Sequence, residues 1–213
     1  KLDWGHTSNQ SAHVYCDYIY LDTDERRRFA QVSHEYLIEQ VQHGTADIIN
    51  GTNNVTLDLI HPVKELIWVF QNTSRAVLAT EPKINLPTVS DPQPSYGNDW
   101  FNYASLNINS NLGYETYDHF GTMKLTLNGK NRFRERDAIY FRNYQPSQYH
   151  SNMPMKHIYS YSFALKPEQH QPSGTCNFSR IETAKLEFKN AIASKLSYFA
   201  VNYNILRIMS GSA

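Results

Sequence analysis

The sequence contains few of the cysteines that cross-link small folds and few of the glycines that form nucleotide-binding loops. Its 213 residues include only two cysteines, Cys16 and Cys176, and nine glycines. Two cysteines cannot form a disulfide framework, which is typical of a reducing compartment, although a single bridge stays open. Neither G-x-x-x-x-G-K nor G-x-G-x-x-G occurs. We therefore expect no phosphate-binding loop and no cofactor.

An excess of charge of either sign is also lacking. The 20 Lys and Arg residues balance 20 Asp and Glu residues, so the formal net charge is +0. A basic surface is the usual electrostatic footprint of a nucleic-acid-binding protein. We therefore expect no direct contact with nucleic acid. No apolar run is long enough to cross a bilayer either, so we expect the chain not to span a membrane.

The patterns of metal sites and nucleophilic enzymes are missing as well. Nine histidines are present, but neither H-x-H nor H-x-x-x-H occurs, so we expect no metal site. The stretch QPSGTCNFSR (171–180) surrounds Cys176 with hydroxyl groups and ends in an arginine. However, His170 and Glu182 are each six positions away, and no strand-turn-helix elbow is apparent. We predict that Cys176 is a buried, inert thiol at the start of a strand and that the protein is not an enzyme.

What the sequence does contain is the pattern of a β-protein. Aromatic residues make up 13% of the chain, which favours sheets over helices. In residues 54–60, Val55, Leu57 and Leu59 alternate with polar residues, as in a half-buried strand. Residues 122–127 repeat this alternation, and Asn128-Gly129 then gives a strong hairpin signal. Further strands are predicted at residues 12–21, 36–42, 63–71, 131–136, 156–165, 184–188 and 197–209.

Helices are predicted to be few and short. Asp22 can cap a helix that runs through Arg26–Arg28, and residues 137–143 can form a second helix before Pro146. Residues 72–121 contain four prolines and several asparagines, which predicts one long inserted loop. With roughly eight strands and little helix, the expected fold is all-β: an eight-stranded antiparallel jelly-roll sandwich forming a single domain over residues 1–213.

Two groups of arginines could lie at a molecular contact. Arg26, Arg27 and Arg28 are consecutive, whereas Arg132, Arg134 and Arg136 share one face of a predicted strand. Acidic residues are interleaved with both groups. This pattern favours solvated faces or salt bridges between subunits over a nucleic-acid stripe.

Several blocks of the sequence closely resemble the major capsid proteins of nucleocytoplasmic large DNA viruses. They span nearly the whole chain in matching order, and each alone is moderately specific. The blocks are residues 22–42 (DTDERRRFAQ followed by HEYLIEQVQ), 61–71 (HPVKELIWVFQ), 134–146 (RERDAIYFRNYQP), 158–182 (IYSYSFALKPEQHQPSGTCNFSRIE) and 198–211 (YFAVNYNILRIMSG).

The resemblance implies a structural protein with no catalytic residues. Members of that family contain two successive eight-stranded jelly rolls, and three copies form a pseudo-hexagonal capsomer. Capsomers tile an icosahedral shell over an inner viral membrane, together with minor capsid proteins, after assembly in the cytoplasm of the infected host cell. The blocks resemble the second, C-terminal jelly roll, which would pair with its own N-terminal jelly roll in a homotrimer. Residues 72–121 would then be a variable loop, and the six arginines would lie at or near subunit contacts.

A jelly-roll carbohydrate-binding module is the alternative interpretation. The tyrosine and tryptophan content supports it, because aromatic side chains such as Trp68 and Trp100 can stack on sugar rings. This alternative predicts exposed, coplanar aromatic side chains on a concave sheet. The capsid interpretation predicts buried aromatic side chains and a flat contact surface instead.

Overall fold

The computed structural model describes residues 13–71, 101, 103–109 and 113–209. Its contacts group the chain into two compact units, Lys1–Tyr36 with Leu206–Ala213, and Leu37–Ile205. The expectation of a single domain over residues 1–213 stays a prediction. The expected loop at 72–121 lies largely outside the described residues, although a β-hairpin falls within it. Trp100 also lies outside them.

The described regular structure is dominated by strands. The strands are β1 (His34–Ile48), β2 (Gly51–Thr56), β3 (Pro62–Gln71), β4 (Ser105–Asn109), β5 (Gly113–Tyr117), β6 (Thr122–Leu127), β7 (Lys130–Asn131), β8 (Arg136–Asp137), β9 (Tyr159–Ser162), β10 (Cys176–Asn177), β11 (Ala184–Ala191) and β12 (Ser194–Ile208). The helical segments are α1 (Thr23–Gln31), a π-helical turn (Tyr140–Tyr144), α2 (Gln145–Tyr149) and a 3-10 turn (Phe178–Arg180).

The strands form two main sheets and one separate hairpin. In sheet A the order is β1-β12-β3, and both β9 and β10 pair with the far edge of β3. In sheet B the order is β2-β11-β6, and β7 and β8 both pair with β6. β4 and β5 make the hairpin. The chain passes back and forth between the sheets, with β1, β3, β9 and β12 in one and β2, β6 and β11 in the other, which is the topology of a jelly-roll sandwich.

An aromatic cluster fills the space between the sheets. Phe70 of β3 contacts Phe188 of β11 edge-on, with ring centroids 5.5 Å apart. Phe120 lies 5.1 Å from Phe188 and 4.9 Å from Tyr159, so rings from both sheets interlock. All four side chains are almost fully buried, as is Trp68. Such contacts favour tilted and edge-on geometry because of the aromatic quadrupole.

Several sequence predictions agree with this sandwich. Val55, Leu57 and Leu59 are all buried, as the alternation predicted. Asn128 and Gly129 adopt φ values of 49° and 76°, the backbone conformation that a tight hairpin between β6 and β7 needs. Asp22 caps α1 by accepting a hydrogen bond from the backbone N–H of Glu25 at 2.8 Å.

Other predicted elements differ from the structure. The described part of the predicted strand 12–21 is not in a strand. Of the predicted return strand 131–136, only its two ends pair with β6. The predicted helix 137–143 is shifted towards the C-terminus, and the expected strand at 156–165 is confined to β9. The strand prediction is therefore wrong for the described residues 13–21, whereas in the other three cases pairing and packing partners set boundaries that local patterns do not indicate.

The stretch around Cys176 also departs from its prediction. β10 is only two residues long, and the chain turns into a 3-10 segment at Phe178. Asn177 caps this turn, since its side-chain oxygen accepts a hydrogen bond from the N–H of Ser179 at 3.1 Å. Cys176 is half-buried rather than buried. Burial nevertheless raises the pKa of its thiol, which lowers the fraction of reactive thiolate.

We predict that Phe188→Ala lowers the free energy of unfolding by about 3–5 kcal/mol, because it leaves a cavity between the sheets. Urea unfolding followed by tryptophan fluorescence measures this loss. Lys185→Ala, on the exposed face of the same strand, is the matched control and should change stability by less than about 0.5 kcal/mol. Equal losses in both variants would contradict the central role of the aromatic cluster.

Candidate assembly surface

A short helical excursion between sheets B and A carries the most distinctive exposed surface of the sandwich. It follows β8 as the π-helical turn and then α2. Pro146 lies at the start of α2 and has no N–H to donate. In a regular α-helix its ring would crowd the carbonyl of Arg142, and the wider π turn relieves that contact. π-helical turns often occur where a helix presents functional side chains.

One side of this excursion is anchored in the core. Phe141 is fully buried, and its ring lies 5.4 Å from that of Trp68. The buried side chain of Gln145 accepts a hydrogen bond from the N–H of Ser162 at 3.1 Å and donates one to the hydroxyl of Tyr140 at 2.9 Å. These contacts fix the turn against β9, so its exposed side chains have a rigid support.

An ion pair and its hydrogen bonds also hold the π-helical turn in place. The guanidinium group of Arg142 donates to both carboxylate oxygens of Asp118, at 2.9 Å and 3.3 Å. The hydroxyl of Tyr159 donates to the same carboxylate at 2.8 Å. Burial and the neighbouring Asp118 charge both raise the pKa of Tyr159, so this hydroxyl stays protonated. The bidentate geometry orients Arg142 as well as attracting it.

The outward side of the turn is apolar and aromatic. The guanidinium group of Arg136 lies 5.4 Å from the centroid of the Tyr140 ring. That ring stacks in turn on Tyr144, with centroids 5.2 Å apart. Ile139, Tyr144 and Met153 are each more than half exposed, and they line a surface pocket of about 390 Å³. We call Arg136, Ile139, Tyr140, Tyr144 and Met153 the Arg–Tyr patch.

The composition of the Arg–Tyr patch is that of a protein contact. Arginine, tyrosine and methionine are enriched at the centre of protein interfaces, where they also dominate binding energy. The stacked Arg136 charge is weakly hydrated, so covering it costs less than covering a lysine. The aromatic side chains are held by the core and lose little conformational freedom on binding.

Of the six arginines predicted at contacts, only Arg136 is part of this patch. Arg132 and Arg134 are exposed, but they lie in the segment between β7 and β8 rather than along one strand face. Arg26, Arg27 and Arg28 are exposed residues of α1, in the other compact unit. Arg27 approaches Asp24 at 3.4 Å, and Arg26 donates to the carbonyl of Leu21 at 3.3 Å. Their role at subunit contacts stays a prediction.

The sequence reasoning missed Ile139, Tyr140, Tyr144 and Met153. Tyr140 and Tyr144 follow Arg136 at intervals of four residues, and this spacing is the signal that could have joined them. The spacing is hard to recognise because the sequence predicts a change from strand to helix between Arg136 and Asp137. Met153, from the loop after α2, carries no periodic signal.

The alternative carbohydrate-binding interpretation loses Trp68, one of the two tryptophans that support it; the other, Trp100, lies outside the described residues. Trp68 is fully buried between the sheets and stacks on Tyr159 at 6.0 Å, so it offers no platform to a sugar. Within the described residues, no cluster of three or more His, Cys, Asp or Glu side chains could hold a metal ion. Among the same residues, no helix is long and apolar enough to cross a membrane.

Two neighbouring residues of β3, Lys64 and Glu65, make separate polar contacts on sheet A. A bulge in β3 makes Lys64 an extra residue opposite β12, where Glu65 faces Val201 and Val63 faces Asn202. Lys64 is only 4% exposed and donates to Glu39 of β1 at 2.8 Å. The exposed His170 lies 3.5 Å from the same Glu39 carboxylate.

Glu65 has a separate partner. Its carboxylate lies 2.8 Å from Nε2 of His150, which is just beyond α2. The hydrogen bond to Glu65 raises the pKa of His150 above its ordinary value of 6.5, although burial opposes the shift. Glu168 adds a further negative charge nearby and is held by the hydroxyl and N–H of Ser151.

We predict a stability contribution from His150 that depends on pH. Because its pKa is raised by folding, the contribution is fully present below about pH 6.5 and is lost as pH rises through the raised value. His150→Gln should lower the free energy of unfolding by about 1–3 kcal/mol near pH 5.5 and by less near pH 8.5. Urea unfolding of both proteins at each pH measures the difference.

The contribution of His150 must be taken as the difference in the free energy of unfolding between wild type and His150→Gln at each pH. Burial and the Arg142 charge lower the pKa of His157, so that residue changes stability with pH in the opposite sense. His170→Gln is the matched control, with a small expected effect because the His170 side chain is 69% exposed. A His150→Gln effect that does not vary with pH would refute the assignment.

Comparison with known proteins places this sandwich in a family. The profile of a family described as "Large eukaryotic DNA virus major capsid protein" matches residues 25–213. The major capsid protein of Pyramimonas orientalis virus is 41% identical to this chain, over 96% of this chain and 48% of that protein.

Two solved structures are similar in fold. PBCV-1 VP54, fitted into a cryo-EM reconstruction of the virophage Sputnik, has a TM-score of 0.70 and is 35% identical, over 91% of this chain and 54% of that one. The Faustovirus major capsid protein also gives a TM-score of 0.70, at 16% identity, over 89% of this chain and 36% of that one. These matches confirm the predicted jelly-roll fold. The chain spans about half the length of the curated relatives it matches, and it belongs to the major capsid protein family of large eukaryotic DNA viruses.

Proposed function

We propose that this chain is the C-terminal jelly-roll portion of a major capsid protein that assembles into an icosahedral virion shell. Family membership supports the structural role, and the Arg–Tyr patch is the observation that supports assembly through this sandwich. The proposed mechanism is association rather than catalysis. The apolar core makes the sandwich rigid, and the side chains on its surface make the contacts.

The proposed assembly unit is a homotrimer. Each copy contributes this jelly roll and its own N-terminal jelly roll, so three copies present six similar sandwiches and a pseudo-hexagonal outline. Contacts around a threefold axis are head-to-tail, so the Arg–Tyr patch must meet a different surface on the next copy. We propose that Arg26–Arg28, Arg132 and Arg134 lie near these or neighbouring contacts, with residues 72–121 forming a variable loop.

The further partners follow from the same proposal. Neighbouring capsomers and minor capsid proteins would contact the outer parts of the trimer. The inner viral membrane would lie close to the shell without being spanned, and nucleic acid would not be contacted directly. Assembly would take place in the cytoplasm of the infected cell. The balanced charge of +0 agrees with a protein that packs side by side with many copies of itself.

We predict that Arg136→Ala and Tyr144→Ala each weaken trimer formation by the full-length capsid protein. Loss of a central interface side chain costs about 2 kcal/mol, which corresponds to roughly a 30-fold change in an equilibrium constant. Sedimentation velocity across a concentration series measures the association. The Arg136 effect should also diminish at high salt, because its charge is exposed.

Arg180→Ala is the matched control, since Arg180 is an exposed arginine of the same unit outside the patch. Thermal unfolding under dissociating conditions checks that the patch variants remain folded. Wild-type association by both patch variants would exclude the Arg–Tyr patch from the interface.

A further inference from the structure

The loop that follows α2 forms one side of the Arg–Tyr patch. Met153 of this loop lines the same surface pocket as Tyr144. Three residues earlier, the backbone N–H of His150 donates to the carbonyl of Pro146 at 2.8 Å and ends α2. Residues 150–153 therefore connect a fixed helix end to the patch, and their contacts decide where Met153 lies.

Two carboxylates hold this loop at consecutive residues. Nε2 of His150 lies 2.8 Å from the carboxylate of Glu65. The N–H and the hydroxyl of Ser151 donate to the two carboxylate oxygens of Glu168, at 3.0 Å and 3.1 Å. The loop is thus attached both to β3 and to the connection between β9 and β10. We call Glu65, His150, Ser151 and Glu168 the carboxylate clamp.

The burial of Glu65 makes the charge of His150 important. Glu65 is only 7% exposed, and a carboxylate this deeply buried is costly unless a positive charge and hydrogen bonds oppose it. The protonated ring of His150 supplies both, whereas the neutral ring supplies one N–H donor and no charge. Within the described residues, the buried Nδ1 of His150 has no hydrogen-bond partner. The contact with Glu65 is therefore the polar contact that holds this ring.

A neighbouring ion pair of sheet A is separate from the carboxylate clamp. Lys64 precedes Glu65 in β3, but its ammonium group donates to Glu39 at 2.8 Å. His170 lies 3.5 Å from the same Glu39 carboxylate. The clamp thus has His150 as its one cation, and that cation is lost when the ring is deprotonated.

We propose that His150 is a positioning residue that makes association through the Arg–Tyr patch depend on pH. The protonated ring closes the carboxylate clamp and holds Met153 at the patch, whereas the deprotonated ring weakens the clamp and releases the loop. This rests on the proposed function, in which the patch meets the next copy of the chain. Because folding raises the pKa of His150, the closed clamp is present below the raised value and is lost as pH rises through it.

Release of the loop weakens association for an entropic reason. A side chain that is already held in its bound position costs less to order at an interface than one on a free loop. By linkage, association must in turn favour the protonated ring of His150 by the same factor. Closing of the clamp and binding of the next copy are thus two readouts of one coupled equilibrium.

Methyl NMR of the full-length capsid protein, below the concentration at which it associates, tests the local step. The Met153 methyl shift should move with pH and have the same midpoint as the His150 ring. In His150→Gln it should stay constant over the same range. Met155 is the matched control, because this methionine is fully exposed and lies two residues further on. A Met153 signal that does not follow the His150 titration would overturn the proposal.

Glu168→Gln provides a second variant that keeps His150. The substitution removes one of two negative charges that favour the protonated ring, so the midpoint of the Met153 titration should move to lower pH. Glu168 is exposed, so the fold should tolerate the change. His157 gives a separate midpoint as an internal reference, because burial and the Arg142 charge lower its pKa. An unchanged Met153 midpoint would contradict the role of the clamp.

Sedimentation velocity of the full-length protein at about pH 6 and about pH 8.5 tests the coupling to assembly. The wild-type association constant should fall by about 5-fold or more between the two values, the lower end of typical coupling between sites. The association constant of His150→Gln should be close to the high-pH value of the wild type and should change little with pH. His170→Gln, at an exposed histidine outside the clamp, should keep the wild-type response. A full wild-type response in His150→Gln would overturn the proposal.

The outcome can be separated from that of the proposed function. If Met153 follows the His150 titration but the full-length protein does not associate at any pH, the capsomer proposal fails and the positioning role of His150 stands. If trimers form equally well at both pH values, the dependence on His150 fails and the capsomer proposal stands.

Discussion

The contact between Phe70 and Phe188 is the interaction on which the rest of the sandwich depends. One ring comes from sheet A and the other from sheet B, and both are fully buried. Neither sheet can cover its apolar face alone, so stability requires that the faces be brought together. Phe120 and Tyr159 extend this contact towards the edge of the sandwich, where the helical excursion is attached.

The exposed surfaces are positioned by this core. Phe141 packs against Trp68, and the hydrogen bonds of Gln145 link the excursion to β9. The Arg–Tyr patch is therefore the outer side of a turn whose inner side belongs to the core. A surface of this kind does not need to be ordered when it binds, which reduces the entropic cost of association. The irregular π turn separates the inward-facing Phe141 from the outward-facing Tyr140 and Tyr144.

Regular strands could be predicted from the sequence because their patterns are local. The alternation of Val55, Leu57 and Leu59 and the Asn128-Gly129 turn depend on neighbouring residues only. The Arg–Tyr patch could not be predicted in the same way. The orientation of Tyr140 depends on Gln145, whose side chain also binds Ser162 of β9, and β9 is itself held by its pairing with β3. The bulge at Lys64 likewise exists only because β12 lies beside β3, so no local pattern indicates it.

The charged residues of the sandwich divide into two kinds. On sheet B, Lys124 pairs with Glu187 at 3.0 Å, and Lys189 of β11 pairs with Glu135, which lies just before β8. The charges of each pair already satisfy one another, so covering them with another protein would remove water without adding new partners. Arg136 is different because it is exposed and stacked on an aromatic ring, so an acidic group on a neighbouring copy would gain a pre-positioned partner. The proposed contact surface thus depends on an exposed charge for which the described part of the chain shows no ion pair, and less on how many charges a sequence segment contains.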